Sequence, residues 1–264
     1  MSLCKAGRPV RMTHDGADAA VLLIHGYTGY PGELTRPARD LYAVGFDVYV
    51  PRLPGHGTNG EDFARSTERD WLEEVLKEAG RLRKEYRELY LLGHSMGAAL
   101  AVIASGKVPV DRLILAAPAV SAPGQKKPVS MILLWLLSKF RKRSKTAWVN
   151  DPGYVMYYED APMDDLYLGS EYWAWVYYRQ LYGLLSLMDK ARDGAAAISV
   201  PTLIIGAGQD QLMGLGGAEY LSRAIKNSKY VVIPGATHYL FYDKDKKAEE
   251  EAVQSVLSWV GEKQ

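Results

Sequence analysis

Short aliphatic runs alternate along this chain with longer stretches of mixed character. The runs fall at Ala20 to Ile24, Phe46 to Val50, Leu89 to Leu92, Leu113 to Ala116, Thr202 to Ile205 and Tyr230 to Ile233. Their spacing leaves room for a helical crossover between successive strands, so an α/β fold with a mostly parallel central sheet flanked by helices is predicted. The clearest helix opens near Thr67, where Trp71, Leu72, Val75, Leu76, Ala79, Leu82 and Tyr86 mark one face and Glu and Lys fill the other. A closing helix over Asp245 to Val260 follows from Ala248, Ala252, Val253, Val256, Leu257 and Val260 at similar spacing.

Between Ser121 and about Val200 the pattern changes. An apolar run from Val129 to Leu137 leads into the basic segment Lys139 to Lys145, followed by a stretch rich in Tyr, Trp and acid. That length exceeds a strand-to-strand crossover, and long insertions in compact domains are usually lids or binding loops. The expected organisation is a core of residues 1–120 and 200–264 with residues 121–199 as an inserted cap.

The chemistry is concentrated where strands are expected to end. Gly93-His94-Ser95-Met96-Gly97 joins the strand at Leu89 to Leu92 to an Ala-rich helix. Glycines on either side let a serine occupy a tight strand-to-helix turn, exposed at the carboxyl edge of the sheet. A serine nucleophile needs a base and the base needs an orienting acid. His238 follows the strand ending at Ile233, and Asp210 follows the strand at Thr202 to Ile205, so both loops reach the same edge as Ser95. No acid follows the strand ending near Ala117, which leaves Asp210 without a close rival. For an oxyanion, Met96 offers one backbone N–H, and Tyr27, in the glycine-rich loop His25 to Gly29, offers a second.

The other histidines read as structural. His25 and His94 end strands and suit hydrogen bonding, His56 sits in the constrained loop Pro51 to Gly57, and His14 lies in a polar turn where solvation is expected. No pair of histidines has metal-ligand spacing on a helix or strand, so no metal and no cofactor is expected.

Taken together, His25 to Gly29, Pro51 to Gly57, Gly93 to Gly97, Gly208 to Asp210 and Gly235 to His238 resemble the α/β-hydrolase superfamily, within it the bacterial carboxylesterase and monoacylglycerol lipase branch. The resemblance spans nearly the whole chain outside the cap. It implies an α/β-hydrolase fold, a triad of Ser95, Asp210 and His238, oxyanion donors at Tyr27 and Met96, and a serine carboxylic-ester hydrolase working through an acyl-enzyme. After Asp210 the sequence Gln211 to Gly217 departs from the D-x-x-V continuation common among relatives. An aminopeptidase or a carbon-carbon bond hydrolase would use the same triad, and acids in the cap (Glu159, Asp160, Asp164, Asp165) suit recognition of an amine. A ligand-binding member of the fold without catalysis is the third class.

Composition narrows the partners. With 32 Lys and Arg against 31 Asp and Glu, the formal charge of +1 provides no field to recruit nucleic acid, and none is expected as a partner. The single Cys4 forms no internal disulfide, and the first twenty residues hold no signal-like apolar segment, so the cytoplasm is the expected location. The expected partner is a small acyl ester of medium or long chain. Leu133, Leu134, Leu137, Trp173 and Tyr177 are the cap residues expected to meet it, with the Val129 to Leu137 run packed over the cleft. The alternative for that run, given its basic neighbours, is contact with an anionic lipid surface.

Overall fold

The computed structural model of the chain describes residues 4–120, 129–140, 142–146 and 162–262. In chain order the core begins with β1 (Val10–Met12), β2 (Ala19–Ile24), α1 (Thr35–Ala43), β3 (Asp47–Val50), α2 (Gly60–Arg65) and α3 (Glu68–Glu85). It continues with β4 (Glu88–His94), α4 (Met96–Ser105) and β5 (Arg112–Ala116). The inserted region contributes α5 (Val129–Phe140), β6 (Arg143–Lys145), α6 (Pro162–Tyr172), β7 (Trp175–Tyr177) and α7 (Tyr178–Gly194). The chain closes with β8 (Thr202–Ala207), α8 (Gly216–Ala224), β9 (Ser228–Ile233) and α9 (Lys246–Gly261).

Seven strands form one sheet in the order β1-β3-β2-β4-β5-β8-β9, parallel throughout except for β1 at the edge. The inner strands are apolar at successive positions because both faces are covered. Along β2, Ala20, Leu22 and Ile24 join the core under α3, α4 and α7, while Val21 and Leu23 join the core under α1 and α9. The α3 helix starts with a capping box in which Thr67 and Asp70 satisfy each other's backbone N–H groups, and it buries Trp71, Val75, Ala79 and Leu82. The α4 helix has no polar face, since it lies between the sheet, α3 and α7.

The described parts of the insert are fastened to the loop after β3 and to α2 by side chains that reach backbone groups. Tyr172 Oη accepts from Thr58 N (2.8 Å) and donates to Gly55 O (3.1 Å). Gly60 N donates to Glu171 Oε2 at 2.7 Å, and Gln180 Nε2 donates to Ala64 O and Ser66 O at 3.1 and 2.7 Å.

The structure changes the picture of the insert. The Val129 to Leu137 run, expected over the cleft, packs on one side only: α5 rests on α7, yet Leu133 is 55% and Phe140 is 88% exposed, and Ile132, Trp135 and Leu136 are exposed too. In the basic segment after it, Arg143–Lys145 pairs with β7 as an antiparallel ribbon. There the Arg143 guanidinium lies 4.1 Å from the centre of the Trp175 ring and donates to Tyr177 Oη at 3.0 Å.

Candidate active site

The carboxyl ends of β4, β8 and β9 bring three side chains into one hydrogen-bonded line. His238 Nε2 lies 2.9 Å from Ser95 Oγ, and His238 Nδ1 lies 2.7 Å from Asp210 Oδ2. Asp210 Oδ1 accepts from Leu212 N and Met213 N, both at 2.8 Å. The unusual Gln211 to Gly217 segment thus begins by folding back on its own carboxylate. Burial works to raise the Asp210 pKa, but the His238 hydrogen bond and charge, with the two backbone donors, hold it below the usual carboxylate value.

Ser95 stands in the turn between β4 and α4 with φ 54° and ψ −117°, outside the regions that L-residues normally adopt. This conformation costs of order 1–3 kcal/mol. It lifts the hydroxyl off the sheet, and it demands close packing behind: a Cβ on Gly97 would run into the Ile24 carbonyl. Met96 is the first residue of α4, where helix N–H groups have no partner within the helix. The Gly26 to Tyr27 loop lies directly against the serine, since a Cβ on Gly26 would stand 3.3 Å from Ser95 Cβ. The backbones of Tyr27 and Met96 therefore flank Ser95 from two sides. The Tyr27 ring packs edge-on to Phe63 and Trp71, which fixes the loop from behind.

The profile of the Hydrolase_4 family, described as serine aminopeptidase, S33, matches residues 15–245. The chain belongs to this family. As a member it is an α/β-hydrolase of the lipase and esterase type, in keeping with its curated relatives. It is 39% identical over 89 residues to a thermostable monoacylglycerol lipase of Bacillus sp. (strain H-257), a match that spans 33% of this chain and 35% of that enzyme. It is 25% identical to the monoacylglycerol lipase of Mycolicibacterium smegmatis over 91% of this chain and 87% of the relative. Among solved structures, one of the metagenome-derived lipolytic enzymes LipS and LipT superposes with a TM-score of 0.80 at 20% identity, covering 98% of this chain and 99% of that one.

In this Hydrolase_4 chain the remaining histidines brace the site. His25 donates from Nδ1 to Gly26 O (3.0 Å) and accepts from Leu53 N at Nε2 (3.2 Å), tying the Tyr27 loop to the loop after β3. His94 Nε2 donates to the His238 carbonyl at 2.8 Å, and His56 Nδ1 donates to Pro54 O at 3.1 Å. Burial lowers all three pKa values, to about 4 for His25 and about 3 for His94, where the nearby His238 adds repulsion; His56 also moves well down. His14 is not simply solvated as expected: it stacks on Tyr42 and lies 3.3 Å from the buried Asp47. The buried, neutral histidines give a testable pH dependence. Below the ordinary value of 6.5 the unfolded chain binds protons that folded His25 and His94 refuse until about pH 4 and about pH 3. Stability therefore falls as pH drops through that window, and urea unfolding at about pH 7 and about pH 5 should show a lower midpoint at the acid value.

The cap residues named from sequence meet different fates. Tyr177 is 1% exposed, with its ring against Phe63 and its hydroxyl donating to Glu171 O at 2.6 Å, so it has no surface to offer a ligand and serves as a strut. Trp173 and Leu137 are half-buried, Leu133 faces outward, and the Leu134 side chain lies outside the described residues. Among the described residues, no group of three or more His, Cys, Asp and Glu could hold a metal ion, and no helix is long and apolar enough to cross a membrane.

Proposed function

We propose that this protein is a serine carboxylic-ester hydrolase of the monoacylglycerol lipase or carboxylesterase kind. The observation that carries the reading is the line from Ser95 Oγ through His238 to Asp210, at 2.9 and 2.7 Å. In the reaction His238 Nε2 takes the Ser95 proton as Oγ attacks the ester carbonyl, and the resulting oxyanion meets the N–H groups of Tyr27 and Met96. Collapse breaks the ester C–O bond, and the alcohol leaves with the proton from His238. Water, deprotonated by the same base, then releases the acid and restores Ser95.

The domain division that accompanies this reading is a catalytic core of residues 1–120 and 200–264 with a cap at 121–199. An aminopeptidase, as the family description words it, needs carboxylates free to bind an amine. Asp164 Oδ2 is already engaged by Ala6 N at 3.1 Å, and Glu159 and Asp160 lie outside the described residues. Cys4 is free, which suits the cytoplasm.

The deciding experiment is a rate screen over p-nitrophenyl esters of graded length, monoacylglycerols and aminoacyl amides. Ester cleavage with no amide cleavage is expected. If the acyl chain enters an apolar channel, each added methylene contributes about 0.8 kcal/mol, about fourfold in kcat/KM. Faster cleavage of aminoacyl amides than of esters would replace the reading with the aminopeptidase one.

The exposed face of α5 (Ile132, Leu133, Trp135, Leu136 and Phe140), beside the exposed Lys139, Lys142 and Lys145, is an apolar patch with a cationic end. We assign it to contact with anionic lipid, in which the apolar side chains enter the interface and the lysines meet headgroups. Turnover of dispersed monoacylglycerol should rise when anionic lipid is added and fall with salt, while a soluble short ester responds to neither. Equal responses of the two substrates would remove the contact.

A further inference from the structure

His238 is held by more than Asp210. Six residues closer to the C-terminus than Thr237 stands Asp243, a carboxylate only 1% exposed that takes no part in the line of three side chains described above. Its Oδ2 accepts from Thr237 N at 2.6 Å and from Thr237 Oγ1 at 2.7 Å, and its Oδ1 accepts from Asp245 N at 3.1 Å. Thr237 Oγ1 in turn accepts from Tyr239 N at 3.3 Å. The Ala236–Thr237 and His238–Tyr239 peptide groups are thereby bound, directly or through one hydroxyl, to a single buried carboxylate. On the opposite side, His94 Nε2 donates to the His238 carbonyl at 2.8 Å.

We propose that Asp243 is a positioning residue for His238, which together with His94 clamps the backbone of the base so that its imidazole stays between Asp210 and Ser95. The inference rests on the reading of His238 as the base. It also explains the residue type. Three N–H or O–H donors converge on two oxygens, and a carboxylate only accepts. An asparagine would turn its NH₂ toward one set of donors, and an alanine would remove the acceptor that all three share. Asp243 joins the loop to the helix behind it as well, because Asp245, whose N–H it binds, is the N-cap of α9 and accepts from Lys247 N and Ala248 N. The imidazole is thus referenced to a packed helix rather than to a free loop.

Displacing a reacting group by about 1 Å can cost on the order of 10²-fold in rate. Asp243→Ala should therefore lower kcat on a soluble short ester by roughly 10- to 100-fold with KM little changed, and slow fluorophosphonate labelling of Ser95 by the same factor. In an Asp210→Asn background Asp243→Ala should cost much less, because the imidazole it aligns already carries its proton on the wrong nitrogen. His94→Phe, which keeps a ring but removes the donor, should lower kcat in the same way, and His94→Gln should recover part of the loss. Should Asp243→Ala fail to fold by near-ultraviolet circular dichroism, Asp243→Asn and His94→Phe carry the same measurements. Unchanged kcat and labelling rate in the folded variants, or losses that simply add to Asp210→Asn, overturn the clamp. A wild-type protein that fluorophosphonate does not label at Ser95 overturns the triad reading instead, so the two failures are distinguishable.

Discussion

Ser95→Ala should lower ester turnover by roughly 10⁶-fold while the protein folds and melts much as before. The hydroxyl oxygen is the only heavy atom removed, and the alanine Cβ meets the same packing against Gly26 that the serine Cβ does. Loss of Oγ leaves His238 with nothing to deprotonate at the carbonyl. What remains is binding and the two flanking N–H groups, which give only a residual acceleration over water. The check is steady-state hydrolysis together with fluorophosphonate labelling, which should mark Ser95 in the wild type and nothing in the variant. Turnover within tenfold of wild type in a folded Ser95→Ala protein would exclude Ser95 as the nucleophile.

Asp210→Asn should lower kcat by ~10⁴-fold with KM little changed. The local hydrogen bonds say which way the amide will turn. Leu212 N and Met213 N both point at one carboxylate oxygen, so they will claim the asparagine oxygen. The NH₂ group is then left facing His238 Nδ1. That nitrogen must accept, the ring proton moves to Nε2, and Nε2 can no longer take the proton of Ser95. A variant that keeps within tenfold of wild-type kcat would mean that another carboxylate orients His238.

The central strands and the three loops at their ends could be read from sequence because each obeys a simple physical demand. Strands such as β2 and β4 are apolar at nearly every position since both faces are buried, and a serine between glycines after such a strand has few other uses. Other features leave no such mark. The β1 edge strand is three residues, too short for any period. The α5 run is apolar on every side, and composition cannot tell which side will lack a partner. Tyr177 was one aromatic residue among many, and only the fold places it against Phe63 with its hydroxyl spent. Asp243 was unreadable for a different reason: its role depends on a backbone turn that brings it back to Thr237, and one acid in a polar loop signals nothing. By contrast, the bracing roles of His25 and His94 were accessible, since both residues end strands beside the candidate nucleophile.

Three residues other than glycine adopt positive φ among the described residues: Thr28 at 58°, Ser95 at 54° and Ala117 at 41°. All three lie around the site, Thr28 next to Tyr27 and Ala117 just beyond the β5 residue whose carbonyl binds Ser95 N. Glycine would sit at each of these positions more comfortably than the residue present. Directed evolution for heat resistance alone, with no assay of turnover, should therefore enrich glycine at 28, 95 and 117, and a more durable protein would emerge with its nucleophile removed.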